Sequence, residues 1–351
     1  MTAMNKFFMS CLLAALLFIV PVAAFVVPET GNLESERRKV ATFPELPSQF
    51  RPSRFKRFFQ GIDSFFADHF PLRSHLLGLS VALHELGGET LDMDKGYRGK
   101  ENWLFLGNSY GRCVDKLTGR IELSGENLKR QTETYVKIRD AAEKYGAEFF
   151  LFIGPNKSSI YPEYLPPIVV PAKRRYISPL VDALSETGVK VYDPTTRLHE
   201  AKTSGILYYR TDTHWNTRGA HVAFEGFREW AGLPALPAYS LAEGPPNRGD
   251  LVDIGGYRSF PLSAGDNFTL RWSVPAELRE EGGLTKNINA VSNKTAWVFG
   301  DSFTEALKPY IAAEFKEVRF FKHAEFEESL YSQPSKPDII LWVIVERNFT
   351  Q

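Results

Sequence analysis

Two cysteines, Cys11 and Cys113, are all that the 351 residues contain. Cys11 sits inside an apolar run, so the chain has no disulfide framework to lean on. It also lacks a charge excess: 42 Lys+Arg stand against 42 Asp+Glu. That argues against a nucleic-acid binder, which carries a basic surplus. Internal repeats and low-complexity blocks are absent, as are G-x-x-x-x-G-K and G-x-G-x-x-G, so no nucleotide or CoA site is legible. With 43% hydrophobic and 24% charged residues, the chain is neither disordered, collagen-like nor a multi-span membrane protein. Aromatics are what it has in plenty, 27 Phe, 14 Tyr and 6 Trp. They are enough for a large core and for a surface on which a sugar could stack.

Lys6 is the only charge before Glu29, and the run from Phe7 to Val27 is apolar. A basic start followed by such a run is an export signal. Val22-Ala23-Ala24 fits a cleavage site, while the run is also long enough to stay in a bilayer as an anchor. Residues 1–27 are therefore read as signal peptide or anchor, with the remainder working outside the cytoplasm. Residues 28–98 follow as an arm. Pro28, Pro44, Pro47 and Pro52 mark a tether. Phe55, Phe58, Phe59, Ile62, Phe65 and Phe66 recur at helical spacing, which predicts an amphipathic helix. That helix either docks on protein or, given Arg51, Arg54, Lys56 and Arg57, lies on a membrane surface. Gly87 to Lys100 reads as a turn-rich connection.

The main domain, 99–351, alternates strands and helices. Glu148–Ile153, Val189–Asp193, Thr295–Phe299, Val318–Phe321 and Ile339–Val345 read as strands. Gly125–Tyr145, Pro179–Glu186, Asn216–Trp230 and Phe303–Phe315 read as helices. This rhythm predicts an α/β fold with a doubly wound, mostly parallel sheet. Residues 233–294 break it and read as an irregular excursion over one end of the sheet.

Two motifs carry chemistry. In Val298-Phe299-Gly300-Asp301-Ser302-Phe303 a buried strand ends, a glycine turns the chain and a helix begins. Ser302 then lies at the strand's C-terminal end, where open α/β sheets place ligands and where N–H groups favour an oxyanion. A bare helix cap by Asp301 or Ser302 would produce the same pattern. In Thr211-Asp212-Thr213-His214-Trp215-Asn216 the Asp and His are two apart, on one face of an extended segment. An aspartate can fix the tautomer of such an imidazole and make it a general base. A surface Asp–His pair is the plain alternative. A metal held by Asp212, His214 and His221 is disfavoured, because no further ligand stands at a familiar spacing. Arg248-Gly249-Asp250 reads as a chance tripeptide. Ser302, His214 and Asp212 together supply a nucleophile, a base and an orienter, in an order that geometry leaves free.

Gly300–Ser302 resembles the nucleophile block of SGNH hydrolases. Asp212-Thr213-His214-Trp215, placed before it, is similar to the AlgX and AlgJ type of alginate O-acetyltransferase. Ordinary SGNH hydrolases carry the Ser block first and an Asp-x-x-His block last. Residues 65–73, the stretch from Gly99 to Phe105, and 161–166 resemble the same branch. The match is closer to the single-domain AlgJ type than to the AlgX type with its carbohydrate-binding module.

The resemblance implies an SGNH hydrolase-like fold and a periplasmic transferase without cofactor or metal. Acetyl would pass through Ser302 to an exopolysaccharide hydroxyl, with a separate membrane-bound acyltransferase as donor and other assembly proteins as partners. It also implies an oxyanion site made by the Ser302 N–H and a second donor; Asn156, in the loop after the first strand, is the candidate, with a plain turn residue as the alternative. Lys157, Arg210 and Arg347 would meet an acidic sugar or be solvated. Trp215 would stack on a sugar, and Tyr161 would pack. An acetylesterase using the same triad, and a non-catalytic polysaccharide-binding or assembly subunit, are the competing expectations.

Overall fold

The computed structural model describes residues 41–47, 52–69, 93–257, 264–273, 278–281, 284–332 and 336–349. The expected signal or anchor, residues 1–27, lies outside the described residues, as does most of the tether. None of the described helices is long and apolar enough to cross a membrane. The chain divides into two units, residues 1–91 with 253–260, and residues 92–252 with 261–351.

In the first unit helix α1, Pro52–His69, forms where the Phe-rich pattern predicts it. Phe65 is buried, and the Phe43 ring meets it edge-on at 5.2 Å. Phe59 stays exposed.

The second unit is α/β. Its strands are β1 Gly96–Arg98, β2 Leu104–Leu106, β3 Glu148–Gly154, β4 Lys190–Tyr192, β5 Tyr239–Glu243, β6 Phe268–Trp272, β7 Leu278–Glu281, β8 Leu284–Asn287, β9 Ser292–Gly300, β10 Phe315–Phe321 and β11 Ile339–Val345. Seven form the main sheet in the order β4-β3-β11-β9-β10-β8-β7. The pairings from β4 to β10 are parallel, and β8 and β7 add antiparallel.

β3 and β11 are apolar at successive positions because both faces of the sheet are covered. Phe150, Phe152, Leu341 and Val343 enter one core, with Phe224 and Phe227 of the helix Thr217–Trp230. Phe149, Leu151, Ile340 and Trp342 enter the other, with Tyr135 and Ile138 of the helix Gly125–Lys144 and Leu180 of the helix Ser178–Glu186. Register then aligns the strand ends: Val345 lies opposite Gly154, and Val343 opposite Gly300. The C-terminal ends of β3, β11 and β9 thus share one edge of the sheet.

Three expectations are corrected. The described residues of 233–294 are not wholly irregular: they include the β5–β6 pair and the two outer strands β7 and β8. β7 and β8 read Leu-Arg-Glu-Glu and Leu-Thr-Lys-Asn, a charged edge that carries no apolar alternation. The helix expected over Phe303–Phe315 is a 3-10 turn, Ser302–Thr304, followed by the helix Lys308–Glu314. Pro309 would break a longer helix from inside but fits the first turn of the shorter one. Gly96–Arg98, read as connection, pairs antiparallel with β2.

Phe152 touches the rings of Tyr192, Trp215 and Phe227 from the centre of one core. Phe152→Ala is expected to cost about 3–5 kcal/mol of stability. Urea unfolding of the variant against wild type measures it.

Candidate active site

β9 delivers Ser302 to the shared edge. At Gly300 a Cβ would come within 1.9 Å of Thr304 Oγ1, so the close turn requires glycine. Asp301 caps the turn: one carboxylate oxygen accepts the Phe303 N–H at 3.0 Å. The other accepts Val345 N–H at 2.8 Å and Asn348 Nδ2 at 2.9 Å. One carboxylate therefore fastens the Ser302 turn to the end of β11. The capping reading of Asp301 holds, and it leaves the Ser302 hydroxyl free for another partner.

That partner is His214. Its Nε2 lies 2.7 Å from Ser302 Oγ, across 88 residues of sequence. Its Nδ1 lies 2.6 Å from Asp212 Oδ1, which also accepts the His214 N–H at 3.0 Å. The Phe303 ring lies against the imidazole, centroid to centroid 5.1 Å. Burial alone would raise the Asp212 carboxyl. The bond and charge of the His214 ring and the N–H groups of Asp250 and His214 outweigh it, holding the carboxyl down at about 2. Asn216 caps the next helix by accepting the Gly219 N–H at 2.9 Å, and this fixes the far end of the segment.

Lys157 is neither solvated nor placed to meet a sugar. It is 4% exposed, and its ammonium donates to the carbonyls of Tyr209, Arg210 and Asp212 at 3.1, 3.1 and 2.7 Å. Burial pushes its pKa down to about 7, against the pull of Asp212, Asp250 and Asp266. Its three N–H groups organise the loop that carries Asp212. Trp215 is no stacking platform either. It is 0% exposed, lies among Phe152, Tyr208 and Phe303, and gives its Nε1–H to Phe303 O at 3.1 Å. Tyr161 packs beside Trp103 and accepts the Leu207 N–H. Arg210 is half-buried, and its Nε has no partner among the described residues.

Asn156 follows the end of β3, and its backbone N–H donates to the buried carboxylate of Glu346 at 3.0 Å. Burial raises that carboxyl, but Arg175 and the bonds it receives hold it below its ordinary value. Arg347 is half-buried. Its guanidinium lies 5.3 Å from the Phe303 ring centre and reaches Asn156 Oδ1 at 3.4 Å. The Asn156 amide nitrogen and the Ser302 backbone N–H have no partner among the described residues.

Asp250 escaped the sequence reading. Its N–H donates to Asp212 Oδ2 at 3.1 Å, and its carboxylate accepts Thr213 N–H and Oγ1–H, both at 2.8 Å. Gly249 allows this approach, since a Cβ there would lie 2.3 Å from Thr211 O and 2.4 Å from Asp212 Cβ. Its sequence signal is slight: an aspartate opening the short helix Asp250–Ile254, 38 residues from its partner.

Asp212, His214 and Asp250 offer ligand atoms within 4.8 Å of one another. Each of those carboxylate oxygens already accepts an N–H or O–H, and His214 Nδ1 is bonded to Asp212. His221, weighed as a further ligand, is paired with the Tyr239 hydroxyl instead.

Removing the Lys157 ammonium takes a donor from three carbonyls, of which, among the described residues, only Arg210 O keeps another, the Leu104 N–H at 2.9 Å. Lys157→Met is expected to lose about 2–4 kcal/mol of unfolding free energy. Denaturant melts check this.

A family profile described as an SGNH hydrolase-like domain, acetyltransferase AlgX, matches residues 97–229. A probable alginate O-acetylase AlgJ of Pseudomonas putida is 25% identical over 278 residues, covering 71% of this chain and 69% of that protein. The solved O-acetyltransferase domain of Pseudomonas putida AlgJ superposes with a TM-score of 0.50 at 19% identity, covering 73% of this chain and 92% of that one. Bacillus cereus PatB1 superposes with a TM-score of 0.51 at 14% identity, covering 72% and 96%. At these identities the superpositions speak to fold, and the fold is the SGNH-like one read from the sequence. Residues 97–229 thus match an SGNH hydrolase-like domain, and the chain is similar to proteins of the AlgX/AlgJ type.

Proposed function

We propose that this chain is an O-acetyltransferase that moves acetyl through an ester on Ser302 to a hydroxyl of an exopolysaccharide, alginate or a similar polymer. The observation that carries the reading is the unbroken line from Asp212 through His214 to Ser302, with contacts of 2.6 and 2.7 Å. The relatives named alginate O-acetylase support transfer to sugar as its use.

Ser302 Oγ attacks the acetyl carbonyl carbon and passes its proton to His214 Nε2. Asp212 keeps the imidazole oriented and balances its positive charge. The carbonyl oxygen, now negative, is met by the Ser302 N–H and the Asn156 amide. The donor's C–O bond breaks, and the leaving oxygen takes the proton from His214. A sugar hydroxyl then attacks the acyl carbon and gives its proton to Nε2. The ester bond to Ser302 breaks, and Oγ recovers that proton. Arg347, at the same edge, would face carboxylates of an acidic acceptor. The setting is the periplasm, with acetyl supplied by a membrane-bound acyltransferase and other exopolysaccharide assembly proteins alongside.

The test uses the full-length chain with an activated acetyl ester, with and without an oligosaccharide acceptor. Wild type is expected to yield acetylated sugar. Ser302→Ala and His214→Ala are expected to lose about a thousandfold or more. Hydrolysis indifferent to acceptor would make the protein an esterase. Full activity in Ser302→Ala would overturn the triad.

A further inference from the structure

We infer that Asp250 is a positioning residue of this site: by taking the Thr213 hydroxyl proton, it keeps that hydroxyl from donating to His214 Nδ1 in competition with Asp212, and so secures the tautomer with the proton on Nδ1. The kinetic consequence rests on the acyl-serine reading above. The tautomer does not, and can be measured without turnover.

To accept a proton from Ser302, His214 must present a bare Nε2, so its own proton must sit on Nδ1. Asp212 Oδ1 asks for that arrangement from 2.6 Å. A second polar group is also close, since Thr213 Oγ1 lies 3.2 Å from Nδ1. A hydroxyl is ambivalent, able to donate or accept. If it donated to Nδ1, it would favour the proton on Nε2, and that form cannot take a proton from Ser302.

Asp250 removes the ambiguity. Its Oδ2 accepts the Thr213 hydroxyl proton at 2.8 Å, which turns the lone pairs of Oγ1 towards Nδ1. Its Oδ1 accepts the Thr213 N–H at 2.8 Å, so one carboxylate holds both polar groups of Thr213. The Asp250 N–H in turn steadies Asp212 Oδ2 at 3.1 Å. Oδ2 itself stands 4.0 Å from His214 Nδ1, so the carboxylate acts on the ring through Thr213.

The choice of residue type supports this role. Burial and the nearby Asp212 charge raise the Asp250 carboxyl above its ordinary value, so keeping an anion here is a cost. A clamp for the Thr213 N–H alone would be served by asparagine without that cost. Only an ionised carboxylate is acceptor-only on both oxygens, which a fixed hydroxyl direction requires.

The experiment compares wild type, Asp250→Asn, and Asp250→Asn with Thr213→Val, all full-length and checked as folded by their amide spectra. In Asp250→Asn the amide NH2 confronts Oγ1 and turns the hydroxyl proton towards Nδ1. Side-chain ¹⁵N spectra of His214 are expected to show Nδ1–H in wild type and a substantial Nε2–H population in Asp250→Asn. Adding Thr213→Val deletes the misdirected hydroxyl and is expected to restore Nδ1–H. In parallel, kcat for acetyl transfer is expected to fall about 10- to 100-fold in Asp250→Asn, with the donor KM within about twofold. The inference is overturned if Asp250→Asn keeps the wild-type tautomer, or if Thr213→Val fails to restore it. If wild type shows no Ser302-dependent transfer, the acyl-serine reading fails while the spectra still decide the role of Asp250.

Discussion

The site depends on one buried ammonium. Lys157 spends its three N–H groups on the carbonyls of Tyr209, Arg210 and Asp212, and so converts an irregular loop into a fixed platform. A buried cation is costly unless its donors are used, and here all three are. From that platform Asp212 reaches His214, and His214 reaches Ser302. The opposite wall is fastened by an anion. Asp301 ties the Ser302 turn to Val345 and Asn348, at the edge where β3, β11 and β9 end. A cation holding one half and an anion holding the other leave the imidazole little freedom between them.

Charge is distributed accordingly. The chain is neutral in total, yet around the imidazole Asp212 and Asp250 stand on one side and Lys157 lies behind them. The cations at the sheet edge are committed to structure to different degrees. Lys157 is fully used, and Arg175 is bound to Asp193 and Glu346. Arg347 is half-buried and bridges Phe303 and Asn156. Any attraction for an acidic polymer is thus local, and net charge is no guide to it.

Much of this was legible in the sequence. Glu148–Ile153 and Ile339–Val345 stand out because a strand covered on both faces needs apolar residues at successive positions. Asp212, His214 and Ser302 are legible only in combination: an Asp-x-His pair and a Gly-Asp-Ser turn each have a bland use, as a surface pair and a helix cap, and together with the resemblance to the acetyltransferase branch they supply an orienter, a base and a nucleophile. Burial is what the sequence hides. Trp215 and Lys157 have the types of a sugar platform and an anion receptor, and both are inside, where an indole finds a carbonyl and an ammonium finds three. β7 is hidden for the opposite reason, since an edge strand needs no apolar face, and β8 beside it reads Leu-Thr-Lys-Asn, without an apolar alternation to mark it. Asp250 is hidden by distance along the chain: its bonds to Asp212 and Thr213 span 38 and 37 residues, and no local spacing encodes them.

The central claim is that Ser302 itself carries the acetyl group. The direct measurement is to mix the protein with an activated acetyl ester, quench in acid within the first turnover, and map the added mass by peptide mass spectrometry. The account predicts one acetyl group on the peptide containing Ser302, lost when an oligosaccharide acceptor is added before the quench. A fully active protein whose acetyl appears on another residue, or on none, would contradict it.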